Sequence, residues 1–272
     1  MRSACLLLIC LALLATAGAQ NSAPSYLGFD RNDYPGDANL KTLHQTFSYA
    51  GYWLNNPPGE KTNTWRGHRA AVESSGFGFL VLFNGRLYAE LKNVARAEKL
   101  GQSDAQSAAA AATHEGFPAK TIVFLDQEQG GAMLPEQKAY IYAWVDGIVA
   151  AGFRAGIYCS GMVSPDENHV ITANDIRQHA AGRNITYWVT NDACPPSPGC
   201  SAGHAPSPAK SGLDFAEIWQ FAQSPRRKDE AAHCTNYNRD GNCYPPGFDR
   251  AQGLHVDLNA ASSPDPSHGR TR

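Results

Sequence analysis

The sequence predicts an α/β fold, a single (β/α)8 TIM-like barrel, and three observations lead to this prediction. Short apolar runs recur along the chain and alternate with segments whose apolar residues have helical spacing. Several of these runs end in an acidic residue, as expected where the carboxyl ends of strands form an active-site face. The chain has 272 residues, 43% hydrophobic and 18% charged, which suits one barrel domain of about 250 residues.

The expected elements follow the chain as repeated β-α units. Runs rich in β-branched and aromatic residues predict strands, in order, at Tyr26–Phe29, Tyr49–Trp53, Phe77–Phe83, Thr121–Glu128, Ala155–Tyr158, Ile185–Val189, Phe215–Gln220 and Leu254–Leu258. Helical spacing predicts helices at Ala38–Ser48, Trp65–Ser74, Ser103 or Asp104 to Glu115, Pro135–Gly152 and Ala173–Ala181. No helical pattern follows the sixth or the seventh strand, so modified loops are expected to replace those two helices.

The fourth strand ends in two carboxylates, Asp126 and Glu128, followed by Gly130 and Gly131. Residues i and i+2 of a strand project to the same side, about 6–7 Å apart along the chain. Asp126 and Glu128 are therefore expected to share one face, with Gln127 pointing away. Because a buried charge must be paired or neutralised, the alternatives are two carboxyl groups that act on one bond and a salt-bridged strand end.

Three further strands carry an acidic or polar residue near their ends, namely Asp30, Gln220 and Asp257. Active sites of barrels are built at the carboxyl ends of the strands. Asp30 and Asp257 are therefore expected to meet Asp126 and Glu128 at one mouth of the barrel. Carboxyl groups crowded in this way cannot all ionise freely, so at least one is expected to have a raised pKa.

Residues 1–19 have the pattern of a secretory signal peptide. Arg2 precedes an apolar stretch, and Ala17 and Ala19 give the small residues of a cleavage site. Cleavage near Ala19 would leave a secreted or periplasmic protein. The apolar stretch of about 12 residues is too short to span a bilayer, and no later segment is long enough. The net charge of −2 offers no basic face for nucleic acid.

Five cysteines lie beyond the predicted signal peptide. Cys194 and Cys200 flank a Pro/Gly-rich loop, and Cys234 and Cys243 flank a polar Asn/Asp/Gly loop. Two local disulfides, Cys194–Cys200 and Cys234–Cys243, are the economical pairing in an oxidising compartment, although the sequence also allows crossed pairing. Cys159 is expected to be a free, buried thiol. There are no CxxC pairs, which argues against a zinc site.

The barrel is expected to span residues 20–259. Residues 260–272 are rich in Ser, Pro, Asp and His, and this composition predicts a disordered tail.

The strand-end motifs resemble those of the Chalaropsis-type lysozymes. The shared motifs, in chain order, are Gly28-Phe29-Asp30, Asp126-x-Glu128, Trp219-Gln220 and Val256-Asp257-Leu258-Asn259. The runs Gly28–Gly36 and Phe83–Arg86 also resemble a secreted bacterial glycoside-hydrolase-like domain of unknown function. The resemblance covers nearly all of the chain from Tyr26 to Asn259. It implies a barrel that acts on a cell-wall glycan such as peptidoglycan or on another N-acetylated glycan.

The resemblance also assigns roles to individual residues. Glu128 corresponds to the general acid, and Asp126, Asp30 and Asp257 complete an acidic cleft. The second carboxylate would activate water or orient a substrate N-acetyl group that acts as internal nucleophile. The chain departs from the lysozymes directly after Asp30, where Arg31-Asn32 replaces Val-Ser.

Five side chains near the strand ends are candidate substrate contacts. Tyr158, Trp188 and Trp219 could stack on sugar rings, and Asp192 and Gln220 could bond sugar hydroxyls. The alternatives are core packing for the aromatic residues and satisfaction of loop backbone groups for the polar ones. A monomer that binds a glycan and needs no cofactor is expected.

Two other classes of function stay open from the sequence. One is a non-catalytic carbohydrate-binding barrel that keeps its acids only to bind sugar hydroxyls. The other is a metal-dependent hydrolase with His255, Asp257, Asp30 and Asp126 as ligands, although the chain has no HxH or HxxxH pair.

Overall fold

The computed structural model describes residues 24–165, 169–228 and 233–271, and their strands form a closed eight-stranded barrel. The predicted barrel fold is therefore confirmed. The signal peptide predicted at residues 1–19 lies outside the described residues. Strands β1 to β7 run parallel in chain order, and β8 closes the barrel by pairing antiparallel with both β7 and β1.

The strands and helices alternate as predicted through the first five units, except that the third unit contains an additional short helix that was not predicted. The strands are β1 Tyr26–Asp30, β2 Tyr49–Trp53, β3 Gly78–Asn84, β4 Ile122–Asp126, β5 Arg154–Ser160, β6 Ile185–Thr190, β7 Ala216–Ala222 and β8 Asp257–Ala261. The helices are α1 Asp37–His44, α2 Arg69–Ser74, α3 Tyr88–Leu91, α4 Val94–Glu115, α5 Pro135–Ala150 and α6 Thr172–Gln178. Between β6 and β7 the described chain forms only a short 3-10 turn at Pro208–Ser211, so a loop replaces the helix of that unit as expected.

The start predicted for α4 was wrong by about ten residues. The helix begins at Val94 because the side-chain Oδ1 of Asn93 accepts the backbone N–H of Arg96 at 3.0 Å and caps the first turn. It ends at Gly116, whose φ of 84° is the left-handed conformation that glycine adopts at helix ends.

Large aromatic side chains pack the barrel with little free space. Tyr49, Phe29 and Phe124 are fully buried. A Cβ atom at Gly28 would lie 2.1 Å from Cε2 of the Tyr49 ring, so β1 reaches its position only because residue 28 has no side chain. This packing fixes the strand ends that carry the site.

The prediction for the last strand was wrong in bounds and direction. Leu254 and Val256 are buried, but they belong to the loop that precedes β8. The described parts of the connection between β7 and β8, residues 223–228 and 233–256, contain no α-helix, and the chain returns as a strand antiparallel to β7. Asp257 therefore reaches the mouth as the first residue of an antiparallel strand, where it pairs with Asp30 at the end of β1.

The prediction that residues 260–272 form a disordered tail was also wrong for the described part, residues 260–271. Ala260 and Ala261 belong to β8, and the following segment crosses the bottom of the barrel. There Oγ of Ser267 accepts the N–H of Val81 at 2.8 Å, and Oδ1 of Asp265 accepts the N–H of Phe79 at 2.8 Å. The polar composition of this segment led to the prediction of disorder. The segment is ordered because its polar side chains satisfy backbone groups of the strands, a role that composition cannot reveal.

Two disulfides join the loop after β6 to the loop after β7. They pair Cys194 with Cys234 and Cys200 with Cys243, with Cα–Cα distances of 5.2 and 5.5 Å. The predicted pairs Cys194–Cys200 and Cys234–Cys243 were therefore wrong, because neighbouring parallel strands place the two loops side by side. Cys159 is free and buried, as predicted, and burial raises the pKa of its thiol.

Removal of Cys194–Cys234 is expected to lower the free energy of unfolding by about 2–4 kcal/mol, since the bridge closes a loop of 40 residues. The variant Cys194→Ala/Cys234→Ala should be compared with Cys159→Ala by urea denaturation, because Cys159 forms no disulfide. Peptide mapping without reduction checks the pairing, and a fragment crosslinked through Cys194 and Cys200 would contradict it.

Candidate active site

A cavity of about 380 Å³ opens at the mouth of the barrel, where β1–β7 end and β8 begins. The structure brings all four predicted carboxylates to its wall, namely Asp30, Asp126, Glu128 and Asp257. The alternation of β4 puts Asp126 and Glu128 on the cavity side, as expected, and leaves Gln127 buried outside with its Nε2 donating to the carbonyl of Gln129 at 3.1 Å.

The carboxyl groups of Asp126 and Glu128 lie close enough for each to influence the pKa of the other through charge and hydrogen bonding. The Asp126 carboxyl is 3% exposed, and neither of its oxygens accepts a hydrogen bond from a nitrogen or hydroxyl donor of the described chain. Burial raises the pKa of Asp126 well above its usual range, and the charges of Glu128 and Asp30 raise it further. The pair therefore titrates as one unit.

Glu128 is the more accessible member of this pair. Its side chain is open to solvent in the cavity, yet the surrounding protein desolvates the carboxyl enough to raise its pKa. The hydrogen bond from Asp126 lowers this pKa and the charge of Asp30 raises it. A carboxyl that faces the cavity and holds its proton more tightly than usual suits a general acid.

Gln220 connects the other two carboxylates. Its Nε2 donates to Oδ1 of Asp30 at 3.1 Å and to Oδ2 of Asp257 at 3.2 Å. Its Oε1 accepts the hydroxyl of Tyr158 at 2.7 Å, and Asn259 donates a further bond to Asp30 at 2.7 Å. Gln220 and Asn259 face the same interior because they pair directly across β7 and β8.

Burial also affects the protonation of these two acids. It raises the pKa of Asp30, although the hydrogen bonds from Asn259 and Gln220 partly offset the effect. It raises the pKa of Asp257 well above its usual range, and the charge of Asp30 adds to the shift. Crowding of the four carboxyl groups therefore makes it harder for all of them to be ionised at once.

The predicted aromatic contacts divide into two groups. Tyr158 and Trp188 line the cavity with ring centroids 4.4 Å apart, and Nε1 of Trp188 donates to Oδ1 of Asn259 at 3.0 Å. Trp219 has no exposed surface and points outward, where its Nε1 donates to the carbonyl of Asn191 at 2.8 Å. A fully buried ring cannot stack on a sugar, so the role predicted for Trp219 is not supported.

Asp192 does not line the cavity either. It is 1% exposed, and its Oδ1 accepts a hydrogen bond from Nε of Arg227 at 2.8 Å. This ion pair holds the loop after β6 against the loop after β7, which is a structural role. Of the polar candidates, Gln220 reaches the cavity wall.

Several cavity residues were not predicted from the sequence. They are Arg31, Asn32, Asp33, Trp53, Pro58, Glu60, Leu82, Gln223, Ser224 and Val256. The signal for Arg31 and Trp53 was present, since one directly follows β1 and the other ends β2. Glu60 arrives on an irregular loop, for which no strand-end pattern exists.

Among the described residues, no three His, Cys, Asp or Glu side chains are arranged to hold a metal ion. His255 lies at the cavity rim, where burial and the charge of Arg31 lower its pKa. The alternative with His255, Asp257, Asp30 and Asp126 as metal ligands has no support from this geometry.

Replacement of the buried carboxyl in Asp126→Asn is expected to stabilise the fold at pH 8 by about 1–3 kcal/mol, because a buried polar group without a donor is costly. The raised pKa means that folded Asp126 keeps a proton that the unfolded chain releases above about pH 4. Wild-type stability should therefore fall as pH rises from 4 to 8, and the asparagine removes this contribution.

Urea denaturation at pH 4 and pH 8 measures the difference. The matched control is Asp214→Asn, an exposed aspartate in the turn before β7. An equal gain at both pH values, or a loss at pH 8, would contradict the expected protonation of Asp126.

Three solved structures share this fold. An uncharacterized B. stearothermophilus protein has a TM-score of 0.53 and 18% identity, covering 87% of this chain and 95% of that one. The catalytic domain of endolysin ply40 from bacteriophage P40 of Listeria monocytogenes has a TM-score of 0.51 and 14% identity, covering 92% and 100%. A muramidase from Trichobolus zukalii has a TM-score of 0.50 and 14% identity, covering 90% and 100%. At these identities the similarities show the fold alone.

No curated protein matches the sequence of this chain. The model of the Rv2525c-like, glycoside hydrolase-like domain matches residues 44–192, which is more than half of the chain. The matched segment contains Asp126 and Glu128 at the end of β4 and Tyr158 on β5. The resemblance to a glycoside-hydrolase-like domain is thereby confirmed, and the chain belongs to the Rv2525c-like, glycoside hydrolase-like domain family.

Proposed function

We propose that this protein hydrolyses an N-acetylated glycan, with bacterial cell-wall peptidoglycan as the leading substrate and Glu128 as general acid. The observation that carries the proposal is the pair of neighbouring carboxyl groups, Asp126 and Glu128, that line one cavity at the barrel mouth and both have raised pKa values. Membership in a glycoside-hydrolase-like family and the fold shared with a muramidase and an endolysin catalytic domain support a glycan-related role.

Glu128 would protonate the oxygen of the glycosidic bond that breaks. Its carboxyl proton passes to the glycosidic oxygen while the bond between that oxygen and the anomeric carbon breaks, and Glu128 becomes a carboxylate. The partial desolvation that raises its pKa keeps this proton in place until the substrate arrives. The product with the new hydroxyl then departs, and the anomeric carbon carries positive charge.

Asp126 would act on the other side of the same bond. Because its oxygens accept no nitrogen or hydroxyl donor from the described chain, they are available for the N–H of a substrate acetamido group. A hydrogen bond there would direct the acetamido oxygen towards the anomeric carbon, where it forms the new bond as internal nucleophile. Water then opens that intermediate and returns a proton to Glu128.

Asp30 and Asp257 would hold the sugar ring. Gln220 keeps Oδ1 of Asp30 and Oδ2 of Asp257 at fixed positions through its amide nitrogen, and both residues line the cavity. Tyr158 supplies an aromatic edge in the same wall. This division of roles accounts for the four acids that the strand ends bring to the cavity, Asp30, Asp126, Glu128 and Asp257.

The two disulfides indicate an exported protein, because such bonds persist in oxidising compartments. None of the helices in the described ranges is long and apolar enough to cross a membrane. A cell-wall polymer would meet the protein outside the cytoplasm. Cleavage near Ala19 and a monomeric state stay predictions.

The proposal is tested by incubating the purified protein with peptidoglycan and with N-acetylglucosamine oligomers between pH 4 and pH 8. New reducing ends are the expected result. Binding of the oligomers without cleavage at any pH would favour the carbohydrate-binding barrel. Loss of activity with a chelator and its recovery with zinc would favour the metal hydrolase.

A further inference from the structure

Arg31 lines the same cavity, but no hydrogen bond or ion pair of its guanidinium within the described chain explains its position there. Its Nε is buried and makes no hydrogen bond within the described chain. No carboxylate in residues 24–165, 169–228 and 233–271 forms an ion pair with its guanidinium, although Asp33 lies close enough to influence its charge. The Arg31 guanidinium thus shares a cavity with several acidic side chains but forms an ion pair with none of those in the described chain.

The backbone of Arg31 is fixed in place by two indole rings. Its carbonyl accepts the Nε1 proton of Trp53 at 3.1 Å and that of Trp65 at 3.2 Å. Trp65 is fully buried, and Trp53 is 4% exposed. A donor whose backbone is already ordered loses less conformational entropy when it binds a ligand.

Arg31 is also the main positive charge of the cavity. The lining includes one arginine, one histidine and no lysine, and burial lowers the pKa of that histidine, His255. A guanidinium presents paired N–H groups that match the two oxygens of a carboxylate. Glu128 lines the same cavity of about 380 Å³, so an anion held by Arg31 would belong to a glycan bound beside Glu128.

We propose that Arg31 binds a carboxylate carried by the glycan and so selects acidic sugar units over neutral ones. The inference rests on the proposed function only in placing the glycan in this cavity. Two sources present the same chemistry, the lactyl group of a muramic acid unit without its peptide and the carboxylate of a uronic acid. Departure from the lysozymes at Arg31 fits a change in preference at this position.

The test compares three tetrasaccharides of equal length. They are a neutral N-acetylglucosamine tetramer, an amidase-treated peptidoglycan tetramer with free lactyl carboxylates, and a galacturonic acid tetramer. Dissociation constants are measured by calorimetry in the Glu128→Gln background at low salt, so that turnover does not interfere. We expect at least one acidic tetramer to bind about 10–100-fold more tightly than the neutral one, as for a charge-assisted hydrogen-bond pair.

Arg31→Gln should remove this preference and leave the affinity for the neutral tetramer within about twofold. Arg31→Lys should keep part of it, because the charge remains while the paired geometry is lost. The matched control is Arg66→Gln, which removes the same charge from an exposed position outside the cavity and should change nothing. A response to one acidic tetramer alone identifies the source of the carboxylate.

Equal weakening of acidic and neutral ligands in Arg31→Gln would overturn the inference, since it would indicate a structural role. Equal affinity for all three tetramers in the protein that retains Arg31 would also overturn it. If acidic tetramers bind more tightly but the protein with Glu128 intact cleaves none of them, the proposed hydrolysis is wrong while the assignment of Arg31 stands.

Discussion

Glu128→Gln is expected to lower glycan turnover by about 10²–10⁴-fold, the usual loss when a general acid is removed. Glutamine has nearly the same shape and can still accept or donate hydrogen bonds beside Asp126, but it cannot give a proton to the leaving oxygen. Substrate affinity should therefore change little, and the loss should fall on kcat. Release of reducing ends from peptidoglycan measures it.

The matched control for this variant is Glu98→Gln, an exposed glutamate on α4 far from the cavity lining. It should keep wild-type turnover. Retention of more than about a tenth of the activity in Glu128→Gln would exclude Glu128 as the acid, because the smallest expected loss is about 100-fold.

Asp126→Asn is expected to lower turnover by a comparable factor, about 10²-fold or more, and to move the pH profile. In the wild type burial raises the pKa of both carboxyl groups, and the charge of Glu128 raises that of Asp126 further. Asparagine is neutral and can donate a hydrogen bond to the Glu128 carboxylate at every pH, so we expect the pKa of Glu128 to fall. The activity that declines as pH rises should therefore decline at lower pH in the variant.

The profile of kcat/KM between pH 4 and pH 8 gives this result directly. Asp214→Asn should reproduce the wild-type profile, since that aspartate is exposed and outside the cavity. An unchanged descending limb in Asp126→Asn would mean that the two carboxyl groups do not share a proton during turnover.

The strand pattern and the acidic site were accessible from the sequence because both depend on local order. β2 was predicted at its observed bounds, and the i, i+2 spacing placed Asp126 and Glu128 on one face. The same rule excludes Trp219, since its neighbour Gln220 faces the interior and adjacent residues of a strand point to opposite sides.

Other features depend on contacts between distant segments and could not be read locally. The partner of Cys194 is decided by the side-by-side placement of two loops, which the spacing of the cysteines does not encode. The order of the segment around Ser267 depends on backbone groups of β3 that need acceptors. Arg31 and Glu60 enter the cavity from loops, whose paths follow from packing and not from periodicity.

The reversed direction of β8 has a practical consequence for attachment. Tyr26, the first residue of β1, pairs with Ala261, the last residue of β8, so the polypeptide enters and leaves the barrel at the end opposite the cavity. A linker, affinity tag or surface tether fused before β1 or after β8 would hold the molecule with its cavity directed away from the support. Such an immobilised protein should still reach an insoluble polymer face-on, without steric interference from its own anchor.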